Sequence, residues 1–161
     1  MRLALIAAAA LAVAVPVAGG GIFEPLKPRA APALWGVDPV TGKHVSLAQW
    51  KGKPLLVHLW RSWCRPCREE APTLRAFLAR HPRSVLGIDI EDSKAGARTF
   101  QKRYRLSFPN IFDPSDVMAN RLGAPGSPTT YFLDRRHRTV AVVFEPATAA
   151  QLERGWKLAR S

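Results

Sequence analysis

Cysteine is nearly absent from this chain: 161 residues contain two, Cys64 and Cys67. That excludes a multi-disulfide framework and a four-cysteine zinc site. Histidine does not make up the shortfall, because His44, His58, His81 and His137 stand at no ligand spacing, and no metal site is expected. Arg68 rather than histidine follows Cys67, which excludes the haem-attachment pattern. No cysteine closes the apolar amino-terminal stretch, so lipid attachment there is excluded as well. Acidic residues are also scarce, 12 against 24 Lys and Arg, giving a net charge of +12. The cations are spread along the chain as well as clustered at Arg135-Arg136-His137-Arg138. A nucleic-acid site would gather them on one element with aromatic residues for stacking, so this charge reads as a solvated face with affinity for anionic surfaces, and no nucleic-acid partner is expected. There is no internal repeat, and 47% hydrophobic with 22% charged residues excludes disorder for the body of the chain.

Residues 1–21 differ from the rest. Arg2 precedes a run from Leu3 to Val15, and Pro16-Val17-Ala18 and three glycines follow. A cationic start, an apolar region and small residues at its end describe a signal peptide, and the length of the run equally suits an N-terminal membrane anchor. Either reading places the chain outside the cytoplasm, in the periplasm or cell envelope, secreted or attached through its N-terminus. Residues 22–33, with Pro25, Pro28 and Pro32, read as an extended linker. Residues 34–161 are long enough for one domain with one core.

Within that domain the two cysteines stand at the junction of two patterns. The apolar stretch Leu55 to Arg61 predicts a central strand covered on both faces. From Pro66 to about Arg80, Leu74, Phe77 and Leu78 recur at helical spacing, with Pro72 inside the helix. A dithiol between a strand and a helix in an oxidising compartment is a reactive pair. A structural bridge closing so short a loop would stabilise little. Before it, Leu34–Val37 and His44–Ser46 predict a hairpin across Thr41-Gly42, and Ser46 opens a helical turn over Leu47–Trp50. After it come a strand over Val85–Ile90, a helix from Lys94 to about Tyr104 capped by Asp92-Ser93, an extended piece over Phe108–Phe112 and a short helix over Ser115–Leu122. Thr129–Leu133 and Thr139–Phe144 predict an antiparallel pair, and Thr148 with Gln151 forms a capping box for a last helix. The order predicts an α/β fold whose sheet carries helices on both faces and an antiparallel far edge.

Four motifs carry a resemblance to a known family. They are Leu59-Trp60-Arg61-Ser62-Trp63-Cys64-Arg65-Pro66-Cys67, then Cys67-Arg68-Glu69-Glu70-Ala71-Pro72, then Gly126-Ser127-Pro128-Thr129-Thr130-Tyr131-Phe132-Leu133-Asp134, and the leading hairpin around Gly42–Pro54. Over residues 34–159 the chain resembles the thioredoxin superfamily, in its exported TlpA/ResA-like branch that includes DsbE-type proteins. The resemblance implies a thioredoxin fold, a central mixed β-sheet flanked by helices with an added N-terminal β-hairpin. It implies an exported thiol-disulfide oxidoreductase acting on cysteine-containing protein substrates without a bound cofactor. DsbE-type relatives would have it act as a reductase in cytochrome c maturation, reset by a membrane or exported redox partner. Oxidation of secreted proteins is the opposite direction, and a non-catalytic metal- or protein-binding module the rival class. Copper proteins of related fold space their cysteines one residue further apart and use methionine, whereas here Met118 is the only methionine beyond Met1.

The catalytic residues expected on this footing are Cys64, Cys67, Glu70 and His58. Cys64, where the helix begins, is the expected attacking sulfur, and Cys67, one turn in, the resolving one. Glu70 shares a helix side with Cys67 and is expected to handle protons, against the plainer reading of a helix salt bridge. His58 stands where thioredoxins carry aspartate and many exported relatives asparagine, and is a candidate acceptor of the Cys67 proton or a satisfied core histidine. Substrate contact is expected at Ser127, at Pro128 as the family's cis-proline, at Trp63 and at Arg65. Arg65 would lower the Cys64 thiol if its side chain turned to the sulfur.

Overall fold

In the computed structural model, residues 20–161 are described, and the segment read as a signal or anchor lies almost wholly outside them. Among the described residues no helix is long and apolar enough to cross a membrane. Six strands form one sheet in the order β1 (Ile22–Ala30), β8 (Arg138–Phe144), β7 (Thr129–Leu133), β4 (Leu55–Trp60), β5 (Val85–Ile90) and β6 (Asn110–Asp113). β4, β5 and β6 are parallel, and β7, β8 and β1 run antiparallel in turn. β2 (Trp35–Val37) and β3 (His44–Ser46) make the separate leading hairpin. This is the thioredoxin fold expected of the sequence, with its mixed sheet and added hairpin.

All six residues of β4 are buried, and their alternation divides the core. Leu56 and Trp60 face one side, where α1 (Arg65–Arg80), α2 (Lys94–Tyr104) and α4 (Ala149–Arg160) contribute Leu74, Phe77, Phe100, Leu152 and Trp156. Leu55, Val57 and Leu59 face the other, where Leu34, Val45, Trp50 and, from α3 (Val117–Leu122), Met118 pack. Both cysteines belong to the first cluster. α1 continues through Pro72 to Arg80. α2 and α4 begin at their expected caps, Ser93 accepting from the Gly96 N–H and Thr148 from the Gln151 N–H.

Residues 22–33 depart from the linker expected of them. Ile22–Ala30 is an edge strand that covers β8, pairing Ile22 with Phe144 and Ala30 with Arg138. Proline donates nothing to a ladder and is confined to edges and bulges. β1 is an edge, and its register shifts between Pro25 and Arg29, a stretch that contains Pro28. Most of its side chains are exposed, so no alternation of apolar and polar residues marked it as a strand.

α4 packs against β7 through Gly155. A Cβ added there would lie 2.5 Å from Phe132 ring carbons, and that ring is fully buried. Alanine would gain helix propensity of about 1 kcal/mol, but overpacking a fixed core ring costs about 1–3 kcal/mol. Gly155→Ala is therefore expected to lower the urea midpoint. A raised midpoint would show that Phe132 yields.

Candidate active site

The parallel strands β4 and β5 end at one pole of the sheet, and β4 delivers the chain through Arg61–Trp63 to the first turn of α1. Cys64 is the N-cap of that helix, and the Cys67 N–H donates to its Sγ at 3.1 Å. The helix end adds the positive end of its dipole to this bond, so a Cys64 thiolate is favoured by two effects with one origin. The two sulfurs are joined as a disulfide in this structure. Both cysteines are buried in this disulfide form, Cys64 at 7% and Cys67 at 2% exposed.

Across from Cys64 lies the turn before β7. The Ser127–Pro128 peptide bond is cis, and the Ser127 carbonyl oxygen stands 3.7 Å from Cys64 Sγ. Between them opens a cleft of about 400 Å³, lined among others by Arg61, Trp63, Arg65, Pro66, Ser127 and Pro128. The structure thus brings Cys64, Ser127, Pro128, Trp63 and Arg65 to one place. Trp63 is 57% exposed, with its indole N–H donating to the Glu91 carbonyl at 3.0 Å. Trp60 is core, stacked on Phe100 and bonded through Nε1 to Asn110 Oδ1 at 2.8 Å. Arg65 lines the cleft, and its guanidinium is bonded to Glu69. Its Nε donates to Glu69 Oε1 at 2.9 Å and the side chain is 85% exposed, so its charge is compensated and screened.

Behind the disulfide lie His58 and Glu70, both buried. His58 Nδ1 is 2.9 Å from Thr130 Oγ1, and its Nε2 faces Glu70 Oε2 at 4.0 Å. That distance is too long for a hydrogen bond. Nor is the contact an ion pair at neutral pH. Burial lowers His58 to about 3 and raises Glu70 to about 8, the Ala147 N–H at 3.0 Å opposing the second shift. An uncharged imidazole therefore faces an uncharged carboxylic acid, and Glu70 Oε2 has no hydrogen-bond partner among the described residues. Among the described residues, the helix salt bridge weighed for Glu70 is not formed.

Two further acids and an arginine belong to this end, and none of the three was expected as a site residue. Asp89, beside Trp60 in the β4–β5 ladder, is fully buried with neither oxygen hydrogen-bonded by geometry among the described residues, and is raised to about 9 by burial and then by Asp92. Asp92 accepts from the Ser62 N–H and from Ser62 Oγ at 2.9 Å, holding the segment before Cys64. Arg61 spans the cleft to Ser127, its Nε donating to Ser127 Oγ at 2.9 Å. The cap of α2 signalled Asp92 and the first motif contains Arg61, but nothing in the sequence marked Arg61's partner Ser127, 66 residues away, or the burial of Asp89.

The sequence profile of the AhpC/TSA family matches residues 29–142. The chain is 25% identical over 120 residues to the thiol-disulfide oxidoreductase ResA of Bacillus thuringiensis, covering 73% of this chain and 69% of that one. Over 133 residues it is 27% identical to the sporulation thiol-disulfide oxidoreductase A of Bacillus subtilis, covering 79% and 80%. Among solved structures, a DsbF homologue from Corynebacterium diphtheriae superposes with a TM-score of 0.76 at 31% identity, over 89% of this chain and 95% of that one. A secreted thiol-disulfide isomerase from Corynebacterium glutamicum superposes with a TM-score of 0.75 at 27% identity, over 90% and 92%.

The raised Glu70 fixes the sign of a pH dependence. Unfolded, the carboxyl ionises near its ordinary 4.5, whereas folded it holds its proton to about 8. Its contribution to stability is full below pH 4.5 and is lost as pH rises to about 8, by about 1.4 kcal/mol per pH unit at the steepest. Subtracting urea-unfolding curves of wild type from Glu70→Gln should leave a difference that grows across that window in favour of the variant. A difference flat in pH would show Glu70 to be ionised in the folded chain.

Proposed function

The chain belongs to the AhpC/TSA family and is a thiol-disulfide oxidoreductase, and from that premise we propose that it works outside the cytoplasm as a reductant of disulfides in cysteine-containing proteins. The observation that carries the reading is Cys64 at the open end of α1, its sulfur 3.1 Å from the Cys67 N–H and 3.7 Å from the Ser127 carbonyl. A substrate backbone laid along Ser127–Pro128 would pair there as an added strand and bring its disulfide to Cys64.

In the reduced chain the Cys64 thiolate attacks one substrate sulfur. The substrate S–S bond breaks, a mixed disulfide forms, and the departing substrate sulfur takes up a proton. Cys67, as thiolate, then attacks Cys64 Sγ, forming the Cys64–Cys67 bond and releasing the second substrate thiol. Two electrons pass to the substrate, and a donor dithiol must return them to the chain. The proton of Cys67 has to leave before the second attack. Transfer is most effective between groups of similar pKa, and Glu70 at about 8 lies beside the ordinary thiol value of about 8.5. His58 at about 3 is too weak a base for that step. We therefore assign the proton to the ionised fraction of Glu70, the minor form at neutral pH, which takes it from Cys67 and passes it to solvent, and give His58 the place of the uncharged wall that keeps Glu70 desolvated.

The reducing direction rests on what surrounds the thiols. A strong oxidant of this class needs its reduced form stabilised. Here Arg65 is engaged with Glu69, and behind the pair stand a neutral imidazole and an acid whose ionisation would repel a thiolate. The helix N-terminus favours a Cys64 thiolate and supports the opposite reading, an oxidase of secreted proteins. Equilibration with glutathione separates the two. We expect a potential nearer about −270 mV, as in thioredoxin, than about −120 mV, as in DsbA. A value above about −180 mV, the range of protein disulfide isomerase, would reverse the direction. Cys67→Ser should trap the mixed disulfide on Cys64, and Cys64→Ser should abolish turnover. Turnover surviving in Cys64→Ser would remove it as the nucleophile.

A further inference from the structure

The turn that carries Ser127 and Pro128 is held in place from two directions. On its own side, Thr129 Oγ1 donates to the Gly126 carbonyl at 2.8 Å and the Glu145 N–H donates to the Pro128 carbonyl at 3.1 Å. Neither bond reaches the segment that carries the cysteines. Among the described residues, the side chain that joins the two walls of the cleft is Arg61, three residues before Cys64, through Nε to Ser127 Oγ at 2.9 Å.

Besides Ser127, Arg61 has two further contacts that fix it. Its Nη1 bonds Glu91 Oε2, and its guanidinium lies over the Trp63 ring at 4.7 Å. Trp63 in turn donates to the Glu91 carbonyl at 3.0 Å. Glu91 occupies the left-handed region, φ 46°, where a residue with a side chain stays only when its surroundings hold it. Asp116, φ 56°, lies near Glu91, and its carboxyl is pushed up first by burial and then by the Glu91 charge, with Arg61 opposing. Two carboxylates therefore compensate the guanidinium, and it is not a vacant cation waiting for a substrate anion. A planar fork with several donors can hold a hydroxyl and a carboxylate together, which a lysine ammonium cannot do in fixed geometry.

We infer that Arg61 is a positioning residue for protein substrates, setting the distance between Cys64 and the Ser127 backbone on which a substrate strand pairs. The inference rests on the reading of Ser127–Pro128 as the substrate platform. Its consequence is selective. A polypeptide disulfide must lie along the platform to reach Cys64, whereas a small disulfide diffuses to the sulfur without it. Loosening the platform penalises the first reaction and spares the second.

The test compares two oxidants of the reduced full chain in single turnover: a disulfide-bonded decapeptide and 2-hydroxyethyl disulfide. Arg61→Met keeps the apolar stem against Trp63 and removes every donor. The lost bond joins a charged donor to a hydroxyl, and its value converts to about tenfold or more in rate. The apparent second-order constant should fall about tenfold further for the decapeptide than for the small disulfide, through weaker saturation and not a slower limiting rate. Ser127→Ala should reproduce this selectivity, and the double variant should lose little beyond either single change, because both remove one bond. Equal losses on both oxidants, or additive losses in the double variant, would overturn the role of Arg61. A wild-type chain that reduces the small disulfide but not the decapeptide would instead overturn the platform reading. Should Arg61→Met fail to fold, Ser127→Ala alone still decides between a selective loss and an even one.

Discussion

Everything at the catalytic pole depends on one close approach, that of the Cys64 sulfur to the Ser127 carbonyl. Two segments more than sixty residues apart have to arrive at 3.7 Å, one as the end of a parallel strand and the other as the turn before an antiparallel one. The pairing of β4 with β7 makes this possible, because Leu59 opposite Thr129 leaves both chains at the same end of the sheet. The fully buried β4 is held between two apolar layers and cannot slip by one residue without exchanging the side chains that each layer receives, His58 included. The rigidity of the site is thus inherited from the middle of the sheet, while the chemistry sits at its rim.

The interior near that rim is unusual in holding acids that stay protonated. Glu70 and Asp89 lie on the same face as the cysteines, and burial rather than any neighbouring charge is the first cause of both shifts. A protein with twice as many cations as acids has placed none of them beside these two groups; Arg61, Arg65 and Arg138 are spent on carboxylates nearer the surface. A buried polar group without a partner is costly. The unbonded Glu70 Oε2, on the helix turn after Cys67, supports the proton role proposed for it above.

Most of the fold was legible because its signals are local. The apolar run of β4, the caps of α2 and α4 and the helical spacing after Pro66 each lie within a few residues of one another, and their elements begin and end within two or three residues of where they were expected. β1 was not legible, because an exposed edge strand with two prolines has neither alternation nor a continuous ladder to announce it. At the site, the cysteines and the Ser127–Pro128 turn were legible as motifs. Arg65 was given a reach toward the sulfur that its i,i+4 bond to Glu69 uses up. Arg61 and Asp89 could not have been found, since what makes them matter is a partner 66 residues away in one case and the loss of water in the other.

The edge strand has one more consequence, and it concerns direction in space. β1 starts at the catalytic pole: Ile22 pairs with Phe144, the Gly21 N–H bonds the Pro146 carbonyl, and Phe144 and Glu145 line the cleft that holds Cys64. It then descends the sheet to Ala30, beside Arg138 at the opposite pole. An attachment through residues before Gly20 would therefore hold the chain by its catalytic pole, and the cysteines would look toward it. Arg135, Arg136, Lys157 and Arg160, exposed at the far pole, would look outward.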